Sequence, residues 1–513
     1  MASLAARSVL ELKPSSAGAS RVMAELAERG GDRVALQWRR KAAEAEPQST
    51  EDALAWARCA LQFNEIALAE RAMATVNEGG RQTAGYHAVA AVLAQAQQQD
   101  DKAEKEWKEA VQLAPNEKPY QLQLGILHLR AQDSERHALG NASLAALRAD
   151  ETQRAAATRA LINDGVARHQ SASELLQLAK ELQEYPEATL SDRLTYLDFL
   201  HQLQSAQFSA YLSELEKNAT ATPNDLATLL SWMSQNSLNL LALDFIKTLS
   251  PDLVQQWPVP LAIADIYSRL KDWRALEEST KKANWQQLDY LRHAYLARAL
   301  RAQDKTAAAE HEWTAAAKDA SGRSDAVVSL VRAASEWKWE NEATELLWTL
   351  AKFPEKQNEA FQTLYRLYAK TGDTQGLFRV LVRLAEFEPD NLNVQNNLAQ
   401  VSMLLKANMD EARRTAANVY HKEPSNAAYA TTYAYSLLTK GDAKGAVKIM
   451  KSLTEQQLRD PSISAYYGIC LAAVHDEQAT GFLQAGQKTS LLPEEKALID
   501  KAFANVIPSP KTD

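Results

Sequence analysis

Cysteine is almost missing from this chain: its 513 residues contain only Cys59 and Cys470, near opposite ends. A disulfide between them would require the two ends to meet, so two lone buried thiols are expected. Glycine (17) and proline (16) are too scarce for a linker-rich or disordered polypeptide. No stretch reaches the ~18 consecutive apolar residues that would span a membrane. Near the N-terminus, Val9-Leu10-Glu11-Leu12 is too short and too charged for a secretory core. Basic residues do not predominate either. The balance is 57 Lys and Arg against 65 Asp and Glu, a net charge of −8, which disfavours a nonspecific nucleic-acid binder.

Signatures of chemistry are also lacking. There is no GxSxG elbow, no GxxxxGK[ST] phosphate loop and no GxGxxG after a strand. His311-Glu312 has no second histidine, which excludes a zincin pair, and no metal or cofactor is expected. Carboxylate pairs such as Glu340/Glu342 and Asp100/Asp101 read as solvated faces, because a catalytic pair needs a pocket that separates the two pKa values.

What the chain does have is a rhythm. Ala2, Ala35, Ala69, Ala103, Ala242, Ala309, Ala343, Ala412 and Ala446 fall on one register of 33 to 36 residues. Leu276 and Leu377 share that slot, Thr480 fills it weakly, and His137 (or Ala138), Ala172 and Phe208 bridge the middle. Around each anchor the apolar spacing is helical. Phe361, Leu364, Tyr365 and Tyr368 form one helix face, Thr371-Gly372-Asp373 interrupts, and Leu377, Leu381 and Leu384 form a second. His87 and His293 occupy the large-residue position of the first helix, where packing accounts for them. Such a hairpin cannot bury its apolar face alone, so neighbours must stack.

The unit resembles the tetratricopeptide repeat, with Ala, aromatic and Ala on the second helix and Pro closing it. Pro14, Pro47, Pro115, Pro354, Pro389 and Pro424 each follow an anchor at nearly one fixed offset, as Pro115 follows Ala103. Trp107 and Trp313 stand in the aromatic slot. The resemblance implies an all-α fold, a right-handed α-α superhelix of about 14–15 hairpins. It divides the chain as one solenoid, 1–513. A half repeat (second helix only) occupies 1–14, where the start in mid-module implies a longer parent. Regular repeats follow over 15–129, degenerate ones over 130–225 and regular ones over 226–492. A charged capping helix (493–505) and a tail (506–513) with Pro508 and Pro510 end the chain.

The resemblance further implies a non-enzymatic scaffold holding a peptide or protein on the concave face of the first helices. The alternative is a recruiting portion of a larger enzyme or assembly machine. An anchor upstream would place the array in the bacterial periplasm, with a cytoplasmic setting as the alternative. Arg298, Arg332 and Arg366 recur at 34-residue steps on the candidate face, with Arg301 one turn beyond. Gln400, Asn393 and Asn396 follow in the next repeat. A row of guanidinium groups suits an acidic segment, because each planar fork donates two parallel hydrogen bonds. The competing expectation is that each arginine pairs with a neighbouring carboxylate such as Asp325 or Glu359. A co-chaperone carboxylate clamp is excluded, since only Asn397 of its five positions matches; Gln362, Arg366, Ala428 and Thr432 do not. Of Trp337 and Trp339, flanking one turn, at most one is expected to point inward; the other is expected to pack against the next repeat, with a groove or surface contact as the alternative.

Overall fold

The computed structural model describes residues 2–281 and 283–506, so Pro508 and Pro510 of the expected tail lie outside the described residues. These contain 33 α-helices and no strand. The helices pair as consecutive antiparallel hairpins, and the architecture is the all-α repeat array expected. The chain divides into two compact units, residues 1–259 and 260–513. In the first, the hairpins include Ala17–Arg29 with Ala35–Ala45, Ala84–Ala96 with Asp100–Leu113, and Lys118–Leu129 with Ser134–Leu147. The second runs from the helix Val259–Leu270 through pairs such as Asp289–Arg301 with Thr306–Ala320 and Gln357–Thr371 with Thr374–Phe387.

The period is written in backbone conformation as well as in residue type. A residue with φ between +50° and +87° stands at the hairpin turn at Gly31, Asn64, Gln98, His169, Gln204, Ser237, Lys271, Asp304, Lys338, Gly372, Lys406, Gly441 and His475. Each ends the first helix in the left-handed conformation. The amide of the next residue then returns to a carbonyl five positions back, as Gln99 N to Ala94 O at 2.9 Å and Trp339 N to Ala334 O at 2.8 Å. Only three of these positions are glycine, although a left-handed residue with a Cβ is strained by roughly 1 kcal/mol. Ten non-glycine residues therefore accept a conformation that only the stacked hairpins could enforce.

The anchors sit in second helices. Ala35, Ala69, Ala103, Ala242, Leu276, Ala309 and Ala446 have no exposed surface, and Ala343, Leu377 and Ala412 almost none. His137, Ala172, Phe208 and Thr480, the weak matches, are only half-buried. In the first three of those helices burial falls one turn later, at Gly140, Leu175 and Leu212. Gly140, Leu144 and Leu147, and Leu175, Ala179 and Leu182, keep the buried spacing of Ala103, Trp107 and Ala110, so the module length varies there and the register slips.

His87 and His293 do more than fill space. Each is half-buried, with Nδ1 bonded to a second-helix glutamate 19 residues on, Glu106 at 2.7 Å and Glu312 at 2.5 Å. To the expected packing role the structure adds a hydrogen bond that ties the two helices of a hairpin.

Cys59 and Cys470 are both free and buried, as expected. Burial pushes the Cys470 thiol up to about 12. Burial, together with the nearby Glu28 carboxylate, does the same for Cys59. The thiolate is the reactive form. Neither cysteine should therefore react with an aromatic disulfide reagent at neutral pH until denaturant is added, when both should titrate. Fast labelling of the native chain would contradict the packing.

Candidate protein-binding face

In the second unit the first helices converge on one side. Arg269, on Val259–Leu270, reaches Glu336 on Ser324–Glu336 at 3.5 Å, past the intervening Asp289–Arg301 helix. Gln400, on Leu392–Leu404, reaches Tyr466 on Pro461–Ala473 at 2.8 Å, past Ala427–Leu438. Side chains can skip a neighbour only on the inside of a curve, so the first helices line an inner face here.

An arginine–aromatic cluster lies on this face. The Asp289–Arg301 helix carries Tyr295, Arg298 and Arg301 at helical spacing, with both arginines in its last turn, where the helix dipole favours cations. Trp337 ends the next first helix and Trp339 begins its partner, with left-handed Lys338 between them. The two indoles meet edge-on, ring centres 5.2 Å apart. Trp339 also packs edge-on against Trp313 at 5.2 Å, and Trp337 against Tyr295 at 5.4 Å.

The Arg298 guanidinium lies between two rings, 4.7 Å from Trp337 and 5.6 Å from Trp273. Arg301 lies 3.8 Å over Trp339 and bonds Glu342 at 2.5 Å. Packing of the second tryptophan is thus as expected, while the limit of one inward-facing ring is corrected. Both are half-buried, each faced by an arginine, because Lys338 turns the backbone enough to bring both rings to one side.

Arg298 is half-buried, and no ion pair to it occurs among the described residues. Burial pulls its guanidinium below the usual value, against the opposing charges of Glu336 and Asp265. Those carboxylates have other work: Asp265 bonds Arg269 at 2.8 Å and accepts from the Tyr295 hydroxyl at 3.4 Å. Desolvation pushes the Tyr295 phenol upward.

The other candidate residues do not gather here. Arg332 is exposed, with no ion pair among the described residues, and exposed Arg366 makes only a 3.4 Å contact to the Thr363 hydroxyl. Neither uses Asp325 or Glu359, so that alternative is corrected. Those acids lie on the same helices as the arginines, and Glu359 pairs with Lys356 instead. Exposed Asn393 accepts from the Tyr429 hydroxyl at 2.8 Å. Asn396 is buried, its amide 3.4 Å from Asn397, which itself donates to Tyr365 at 3.1 Å.

Gln400 is engaged in a different way. Its amide donates to the Tyr466 hydroxyl and, at 3.1 Å, to Glu495 of the final helix Pro493–Val506. Sequence reading did not find Tyr466, Thr374 or Glu495 as parts of this face. Tyr466 and Glu495 lie 66 and 95 residues from Gln400, and Thr374 lies 120 from its partner Glu494, so no local pattern signals these contacts.

One acidic–histidine grouping stands apart among the described residues. Asp289, His293 and Asp319 offer ligand atoms within 4.8 Å of one another. A cation already stands beside them: Arg292 bonds both oxygens of Asp289, at 2.7 and 2.8 Å, and lies 2.8 Å from His293 Nε2.

No family model and no curated protein matches the chain. Among solved structures, a tetratricopeptide repeat protein from Parabacteroides merdae matches with a TM-score of 0.27 and 15% identity, over 48% of this chain and 97% of its own. A chain of the APC/C hetero-tetramer Cut9-Hcn1 matches with a TM-score of 0.27 and 13% identity, over 94% and 92%. The structure of Naa15/Naa10 bound to HypK-THB gives 0.23 and 12%, over 95% and 72%. The repeat array in hand is consistent with the tetratricopeptide resemblance read from the sequence. Among the described residues no helix is long and apolar enough to cross a membrane.

Proposed function

We propose that the chain is a non-enzymatic protein-interaction scaffold that holds a carboxylate-bearing peptide segment on the inner face of its second unit. One observation carries this reading: Arg298 is clamped between Trp273 and Trp337, with no carboxylate at ion-pair distance among the described residues. Stacking has already fixed the rotamer, so little side-chain entropy remains to be lost on binding. The guanidinium edge keeps its donors, and partial burial strengthens any bond they make. Arg332 and Arg366 add exposed charge, which speeds encounter but is screened by salt.

Short acidic peptides should bind the wild-type chain at low salt. The Arg298/Arg332/Arg366→Ala triple variant should lose at least about tenfold in affinity, about 1.4 kcal/mol. Arg298→Ala alone should account for most of the rise in dissociation rate, while the two exposed arginines should mainly alter salt dependence. Equal binding of the same peptides by wild type and triple variant disposes of the idea.

A further inference from the structure

The final helix is not stacked at the end of the array as one more first helix. Its 14 residues, about 21 Å of helix, cross the inner side of the preceding hairpins. At its start Glu494 accepts from the Thr374 hydroxyl, and Pro493 lies beside Gly372 at the turn after Gln357–Thr371. One oxygen of Glu495 accepts from the Tyr466 hydroxyl at 2.7 Å and from Gln400 at 3.1 Å. Its other oxygen accepts the Leu492 amide at 2.9 Å. Further along, Ile499 and Ala502 are buried in the cluster formed by Ala399, Met403, Tyr435 and Tyr466.

Two features separate this helix from a fixed core element. Its glutamates are held by hydroxyl and amide donors, with no lysine or arginine at ion-pair distance among the described residues. Beside its second half a cleft of about 460 Å³ stays open to solvent, lined by Met403, Met409, Leu438 and Ile469 together with Ala502 and Asn505. The short side chains of Ala502 and Asn505 leave that space unfilled, and methionine-lined surfaces adapt readily to other shapes.

We infer that the inner face of Leu392–Leu404, Ala427–Leu438 and Pro461–Ala473 is a receptor for a helix with paired glutamates in its first turn. Pro493–Val506 is its resident occupant, and a partner helix with bulkier apolar residues in its second half displaces it. This rests on the reading of the chain as a protein-binding scaffold but not on the arginine cluster. The resident has the advantage of its tether, an effective concentration of order millimolar. The partner's advantage is the apolar surface it buries in the unfilled cleft.

The probe is a fluorescent peptide of residues 489–506 carrying Ala502→Leu and Asn505→Leu, added to the full chain. It should bind, and better by about tenfold to a chain carrying Glu495→Gln, whose resident helix is loosened. Glu495→Gln in the peptide should cost it about tenfold, and so should Tyr466→Phe in a chain whose resident helix is already loosened by Glu495→Gln. High salt should change these affinities little, whereas binding at Arg298 should weaken, so the two readings fail separately. Should Glu495→Gln prevent folding, Glu494→Gln is the milder replacement, with the same expected direction.

Absence of binding to both chains, or affinity for the Glu495→Gln chain that is indifferent to Tyr466→Phe, overturns the inference. So does a Glu495→Gln chain that dimerises and excludes the peptide, because the occupant is then a second copy's helix.

Discussion

Gly140→Ala should destabilise the first unit by about 2 kcal/mol or more, and locally. The Lys118–Leu129 and Ser134–Leu147 helices cross so closely that a Cβ at Gly140 would meet Leu129 N at 2.5 Å, Gly125 O at 2.8 Å and His128 C at 2.9 Å. All three are backbone atoms of the partner helix, so no side chain can swing aside. Alanine gains ~1 kcal/mol of helix propensity over glycine. Overpacking against a rigid wall costs ~3 kcal/mol or more, so the steric term wins.

In a repeat array each hairpin contacts chiefly its neighbours, so the loss should concentrate there. Hydrogen exchange should show the amides of 118–147 opening far faster, with distant hairpins little changed. Gly18→Ala, where a Cβ would meet nothing within 4 Å, is the control and should be neutral or mildly stabilising. A Gly140→Ala chain as stable as wild type would refute the close approach.

Trp337→Ala should damage stability and binding together. The indole packs on the large core cluster of the second unit, meets Tyr295 and Trp339 edge-on, and covers one face of Arg298. Truncating a packed tryptophan costs about 3 kcal/mol. Edge-to-face ring pairs contribute ~1 kcal/mol beyond their area. The larger consequence for function is that Arg298 loses the ring that orients it. Acidic-peptide affinity should fall by at least about tenfold, even well below the new melting temperature. Trp337→Phe keeps a ring in place and should recover most of the stability and part of the affinity. A Trp337→Ala chain that binds acidic peptides as well as wild type would separate the aromatic clamp from recognition.

Where the sequence was legible, the physics is short-range. The anchors Ala69, Ala103, Ala309 and Ala446 are fully buried because two helices in a hairpin approach closely only over small side chains. A contact made once in every module leaves its mark once in every module. Around His137, Ala172 and Phe208 the mark blurs because the module length varies, and the buried slot falls instead at Gly140, Leu175 and Leu212. The turns were only partly legible. Gly372 and Gly441 announce the left-handed conformation, but Asn64, Lys271 and Lys338 adopt it without a glycine to signal it. Stacking energy spread over whole hairpins overrides a penalty borne by one residue.

The arginines divide in the same manner. Their regular recurrence was readable, but their chemistry was not. Arg298 stacks on two indoles, Arg301 pairs with Glu342, and Arg332 and Arg366 are exposed, according to what neighbouring hairpins present to each. By itself the sequence determined the repeat, its helical hairpins and the identity of the buried anchors, because those depend on residues within one module. Only the tertiary structure decided which arginine is clamped, and that Gln400 meets Tyr466 and Glu495 beneath the final helix. Those contacts join residues 66 and 95 positions apart. Their geometry is set by how successive hairpins curve, which no single module encodes.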